Sequence, residues 1–191
     1  QTAVRLEWYL ALATLNLVWS PVFEPNRLPT GSRLSYFNPP AGAIVGTGLG
    51  NQFHFDPAGP AAEIENSELS GRLQRQVGSF STAFYLYRGF YKNPVGAKHQ
   101  GATGLLPFFP ELSVYGISAR GPTGGGIFWI EAGFLDSRQD RDGDNPLIEN
   151  SSVEAMVGFE RQIATNLTVN LQWQIDLMRN YSEFRQGSPL E

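Results

Sequence analysis

The 191-residue chain carries no cysteine, 21 glycines, 13 prolines, 13% aromatic residues and a formal net charge of −4. Without cysteine there is no disulfide scaffold, thiolate metal site or cysteine nucleophile, and the acidic balance argues against a nucleic-acid binder, which would carry a basic patch. Aromatic content this high argues against disorder, no apolar run reaches the ~18 residues of a transmembrane helix, and charged residues, at 17%, fall below the ~25% of ordinary soluble domains.

The chain opens at Gln1 with no leader pattern and runs out in the loop-like Gly187-Ser188-Pro189-Leu190-Glu191; these ends predict a piece of a longer protein. In the first twenty residues Val4, Leu6, Trp8 and Leu10 share one parity, whereas Leu15, Leu17 and Trp19 share the other. A one-residue slip would turn the second half to the wrong face, so the pattern predicts two strands with a tight turn in preference to one bulged strand. Residues 20–62 read as a long loop, with seven scattered prolines (Pro21, Pro25, Pro29, Pro39, Pro40, Pro57 and Pro60) and a glycine-rich run over 42–50.

Strands are predicted next over 69–77, with Arg72, Gln74 and Gln76 on one face, over the tyrosine-rich 80–91, and over 112–120. A glycine-rich turn over 121–126 leads to a strand in which Phe128, Ile130, Ala132 and Phe134 oppose Trp129, Glu131 and Gly133. Val153, Ala155, Val157 and Phe159 then oppose Glu154, Met156, Gly158 and Glu160. The clearest stretch is 167–177: Leu167, Val169, Leu171, Trp173, Ile175 and Leu177 alternate with Thr168, Asn170, Gln172, Gln174 and Asp176. Successive strand side chains point to opposite faces, so this period of two gives one wholly apolar and one wholly polar face. No helix pattern emerges.

Short links near 78–79, 121–126 and 162–166 alternate with long ones over 20–62, 92–111 and 135–151. That layout predicts an all-β, antiparallel up-and-down transmembrane β-barrel as a single domain, with seven or eight strands present as part of a larger barrel. Strands of 9–11 residues suit a tilted passage through hydrocarbon better than the 5–6 typical of soluble sheets. Aromatics toward strand ends (Phe159, Trp173, Phe128, Phe134, Tyr91) suit interfacial girdles, and the apolar parities carry no acid. A soluble β-sandwich also has one apolar face per strand, so a carbohydrate-binding sandwich stays open, as does a closed structural or adhesion barrel.

The residues Tyr87-Arg88-Gly89, Asn93-Pro94, Phe109-Pro110, Val114-Tyr115-Gly116, Arg120-Gly121, Gly125-Gly126, Glu131-Ala132-Gly133, Asp142-Gly143-Asp144-Asn145-Pro146 and Gly158-Phe159-Glu160-Arg161 resemble a family of porin-like Gram-negative outer-membrane β-barrel proteins, loosely similar to alginate-export-type porins. The stretch 21–29 resembles a loop of such proteins. The resemblance implies an outer-membrane location and passive diffusion of small polar solutes, with no substrate named. Members are longer and end in an aromatic residue on a closing strand, two features this chain lacks.

On this reading Val153, Val157, Phe159, Val169, Leu171, Trp173 and Ile175 face lipid, while Arg88, Arg120, Glu131, Glu154, Glu160, Gln172, Gln174 and Asp176 line the pore. Opposed charges across a lumen filter polar solutes; the alternative is that they pair and merely satisfy one another. The 20–62 loop is a candidate constriction or plug. Its Gly46-x-Gly48-x-Gly50 spacing is no nucleotide fingerprint. Asp140, Asp142 and Asp144, with Glu149, offer oxygen ligands for calcium, but aligning Gly143 to an EF-hand glycine puts Arg138 at the first ligand position, so a solvated loop salt-bridged by Arg138 and Arg141 is the stronger expectation and no cofactor is expected. Near lipopolysaccharide, divalent ions could bridge these acids to phosphates. His54 and His99 lie in loops and no serine sits in a nucleophile elbow, so no enzyme is expected; partners would be membrane lipid, small polar solutes and, in a homo-oligomer, further copies.

Overall fold

The computed structural model describes residues 2–27, 34–38, 43–46, 57–101 and 104–187. Its strands are β1 (Val4–Tyr9), β2 (Thr14–Ser20), β3 (Tyr36–Asn38), β4 (Ala43–Val45), β5 (Glu68–Val77), β6 (Phe80–Phe90), β7 (Gly96–Gln100), β8 (Gly104–Phe108), β9 (Glu111–Thr123), β10 (Gly126–Ser137), β11 (Ser152–Ala164) and β12 (Leu167–Met178), followed by a helix α1 (Tyr181–Gly187). Eight of them form one sheet in the order β1-β2-β5-β6-β9-β10-β11-β12, antiparallel at every pairing. The sheet is an up-and-down meander, and it is open: β1 and β12 are its two edges.

The first hairpin resolves the parity slip. Leu10 N–H donates to the Ala13 carbonyl at 2.8 Å, and Val4, Leu6 and Trp8 stand directly opposite Trp19, Leu17 and Leu15. All six therefore share one face. The remaining short turns reverse through left-handed residues, as the right-handed twist of the flanking strands requires: Gly78 (φ 58°), Gly124 and Gly125 (57° and 75°) and Asn166 (62°). The predicted turn over 121–126 contracts to Gly124-Gly125, because pairing continues through Thr123 and resumes at Gly126. The turn over 162–166 shrinks likewise to Thr165-Asn166.

Short turns thus cluster at one end of the sheet, and the connections 21–67, 91–110 and 138–151 cluster at the other. Two of these long links are more structured than predicted. β3 pairs with β4, and β7 with β8, as small separate hairpins, and α1 follows β12 where no helix was expected. Much of the 20–62 segment, including most of its 42–50 run and His54, lies outside the described residues. Its described start is pinned down: Asn26 N–H donates to the Lys92 carbonyl at 2.9 Å, and the Asn26 side-chain amide to Asn93 Oδ1 at 3.0 Å.

Residues directly opposite in a sheet share a face. One transverse row runs Trp8, Leu15, Leu73, Phe84, Ile117, Ala132, Ala155, Ile175, apolar on all eight strands. The next runs Leu6, Leu17, Gly71, Leu86, Tyr115, Phe134, Val153, Leu177. Val157, Phe159, Val169, Leu171 and Trp173 extend the same face. Among the described residues no second layer covers it: Leu171 is 67% exposed, Phe84 62%, Trp173 61% and Ile117 54%. Eight strands about 4.8 Å apart and three apolar positions deep make a face on the order of 700 Å² in projection, above the ~300–600 Å² of the largest patch on a typical monomer.

One expectation changes at this point. Trp173 pairs with Val157 at mid-strand, so it sits within the apolar face and not in a girdle at a strand end. The buried apolar cluster sits at the long-loop end: Phe23, Phe90 (the last residue of β6) and Phe109 form a knot, with the Phe90 and Phe109 ring centroids 5.5 Å and 5.0 Å from Phe23.

Candidate functional site

The opposite face carries the chemistry. Its central row reads Glu7, Asn16, Arg72, Tyr85, Gly116, Gly133, Glu154, Asp176 across all eight strands. Toward the short turns the next row is Tyr9, Thr14, Gln74, Ala83, Ser118, Glu131, Met156, Gln174, and beyond it comes Gln76, Ser81, Arg120, Trp129, Gly158, Gln172. Glu160 follows, opposite Ile127 and Asn170. Seven of the residues assigned to the polar face by alternation are therefore brought together on it: Arg120, Glu131, Glu154, Glu160, Gln172, Gln174 and Asp176.

Arg88 is a correction. It stands opposite Leu69 and Ser113, on the apolar face at its long-loop rim. The strand β6 misleads because its polar-face residues, Tyr85 and Tyr87, are themselves aromatic, so parity alone does not say which side is wet.

Charge on the polar face is uneven. Arg5, Glu7 and Arg72 lie on β1 and β5, Arg120 on β9, and the acids Glu131, Glu154, Glu160 and Asp176 on β10 to β12. Arg5 is engaged with Glu7 (3.4 Å) and Asn16 Oδ1 (2.7 Å). Arg120 lies over the Trp129 ring at 5.6 Å, and Trp129 in turn covers Gly158, where any Cβ would collide with the indole. Glu160 accepts from the Asn170 amide at 3.3 Å. Among the described residues none of Glu131, Glu154 and Asp176 forms an ion pair, so mutual neutralisation, the alternative role, is not what the geometry contains.

Glu154 and Asp176 are direct cross-strand neighbours, and like charges so placed repel. Glu154→Gln is expected to stabilise the fold by about 0.2–1 kcal/mol, measured as a rise in the urea midpoint at neutral pH. With Glu149 and Tyr91 these two acids line a hollow of about 420 Å³. A neighbouring hollow of about 540 Å³ is lined by Glu131, Glu154 and Gln174; Gly133, opposite Glu154, leaves its floor bare.

Burial, and then the Asp176 carboxylate, push Glu149 above the ordinary carboxylate range. Burial, and then the Glu149 charge, push the Tyr91 hydroxyl up to about 12. In the window between the unfolded and the raised folded value, the folded protein holds more protons at Glu149, so this group's contribution to stability falls as pH rises. Glu149→Gln should therefore raise the melting temperature above that window and lose its advantage below about pH 4, where both states are protonated; an equal gain at both ends of the range would contradict this.

The long-loop end is built on charge pairing. Glu68, only 3% exposed, accepts from Lys92 Nζ and from the Tyr87 hydroxyl, each at 2.5 Å. Lys92 also donates to the Glu24 carbonyl at 3.1 Å and stacks on Phe23 at 4.7 Å. Arg138 pairs with Glu111, and Arg141 with Asp136, both at 3.1 Å. The proposed calcium ligands do not converge: Asp140 is buried, Asp142 and Asp144 are exposed, and among the described residues no three His, Asp or Glu side chains are grouped to hold a metal ion. Asn180 instead ties the acidic loop to the start of α1, donating to the Arg141 and Asp142 carbonyls at 2.9 Å each.

Arg5, Glu7, Asn16, Arg72 and Tyr85 were not singled out as site residues from sequence. The alternation in 69–77 did place Arg72 with Gln74 and Gln76, but only the register shows that these residues face the same space as Glu131 and Glu154. The chain matches no family model, no curated protein and no solved structure.

Proposed function

We propose that this sheet is part of the wall of an outer-membrane β-barrel, a porin-like channel in which the apolar face meets lipid and the polar face lines a wet path for small polar solutes. The observation that supports it most is the bare apolar face, continuous over eight strands and backed by rows of amide, hydroxyl and charged side chains. A soluble sandwich needs a second layer over that face, and among the described residues there is none. The backbone argument points the same way: in hydrocarbon each N–H and C=O must be paired, and within the meander the strands pair along most of their length. Arg88 fits at the rim, where a cation on the lipid side costs about 0–1 kcal/mol against about 2–4 kcal/mol at the midplane. Polar solutes would meet Arg72 beside the paired Arg5 and Glu7 on one side and the acids of β10 to β12 on the other, an uneven field that orients dipoles.

The test is membrane fractionation followed by planar-bilayer recording. The reading expects detergent-dependent extraction, gel mobility that changes on heating, and stepwise ohmic conductance. Recovery in the aqueous fraction without detergent would sink it; insertion without conductance would leave a closed structural barrel in its place.

A further inference from the structure

We infer that Arg72 is the anchor of an oxyanion subsite on the polar face, taking the carboxylate or phosphate group of a small solute. The site deepens the channel reading, but binding at it requires no membrane. Arg72 projects into a hollow of about 830 Å³ whose wall includes Arg5, Asn16, Gln74 and Tyr85. Its guanidinium lies 5.6 Å from the centre of the Tyr85 ring, and the Tyr85 hydroxyl is tied to Ser118 Oγ at 3.1 Å across the neighbouring strand. The hydroxyl contact tethers the ring that the cation lies over. The guanidinium is a planar fork of N–H donors, the group that grips carboxylate or phosphate with two parallel hydrogen bonds.

Competition inside the protein is weak. Glu7, the acid that shares this hollow, pairs with Arg5, and among the described residues Arg72 has no ion pair. The other acids of its row, Glu154 and Asp176, lie beyond Gly116 and Gly133. The two glycines open the floor between the arginine and Glu154, so an anion held at Arg72 stays clear of those carboxylates. Asn16 and Gln74 flank the position with amides that can bond the remainder of a polar solute.

Two probes separate the sources of the oxyanion. Acetate is followed by saturation-transfer NMR and inorganic phosphate by phosphorus line width, both on the full chain in detergent at low salt. Saturable binding of either probe below about 100 mM is expected, as for a single exposed charge-assisted contact. Arg72→Gln should weaken it at least tenfold, Tyr85→Leu about three- to tenfold, and Arg72→Lys should recover only part, since an ammonium lacks the planar fork. Arg88→Gln, on the other face, should change nothing. Unchanged binding in Arg72→Gln, or no saturation with either probe, overturns the subsite. Binding by a protein that never enters membranes would instead remove the channel reading and leave the subsite standing; insertion without Arg72-dependent binding does the reverse.

Discussion

Ile117→Arg is expected to cost about 2–4 kcal/mol of folding stability in lipid vesicles, the penalty for arginine at the middle of a lipid-facing strand surface. That is roughly a 30- to 1000-fold loss in the equilibrium constant. Ile117 stands in the central apolar row between Phe84 and Ala132, far from the charged rim at Arg88. Gln174→Arg, on the wet face in the row of Glu131, should be near neutral. The pair of variants matters because the alternative environment removes the penalty. Ile117 is 54% exposed, so in a protein that keeps this face in water the same arginine would change stability by less than about 0.5 kcal/mol and improve solubility. Urea unfolding in vesicles, followed by tryptophan fluorescence, separates the two. Equal stability of Ile117→Arg and Gln174→Arg would remove the lipid assignment of the face.

Lys92→Met should destabilise the long-loop end by about 2–4 kcal/mol, somewhat under the 3–5 kcal/mol of a fully buried broken pair because the lysine side chain keeps partial contact with solvent. The substitution removes the Lys92 cation from Glu68, removes the Glu24 carbonyl contact and loosens the stack on Phe23. The buried carboxylate is what makes the loss large: Glu68 is 3% exposed and water cannot compensate it. Adding Glu68→Gln to Lys92→Met should return a substantial part of the cost, since a neutral amide replaces the buried carboxylate that lost its lysine. Limited proteolysis across 21–27 gives the local readout, with cutting faster in the single variant than in the double. A single variant as resistant as wild type would mean that the pair does not hold this segment.

The difference in legibility between sheet and loops has a physical origin. Period-two alternation is a local property, so each of the eight sheet strands is visible from its own residues, and the parity slip in 1–20 narrows that stretch to a hairpin, slightly favoured, or a bulged strand. β7, Gly-Ala-Lys-His-Gln, and β8, with Pro107 inside it, carry no alternation; their pairing is imposed by the connection they sit in. α1 has seven residues, under two turns, too short for an apolar stripe to declare itself. The site was half readable for the same reason. Alternation assigned the acids of β10 to β12, but which strands stand beside one another, and so the meeting of Arg72 with Tyr85 and the misassignment of Arg88, depends on register. The Glu68–Lys92 pair spans 24 positions and has no local signature at all.

The unequal borders of the sheet have a consequence of their own. β1 has six residues and β12 has twelve, so a seam between them would leave about half of the longer margin with bare amides and carbonyls. In a nonpolar solvent that debt is prohibitive, each unmet group costing several kcal/mol. On the lipid-facing reading these eight strands would not zip shut on themselves; a leak-proof cylinder would call for a strand of matching length laid along β12.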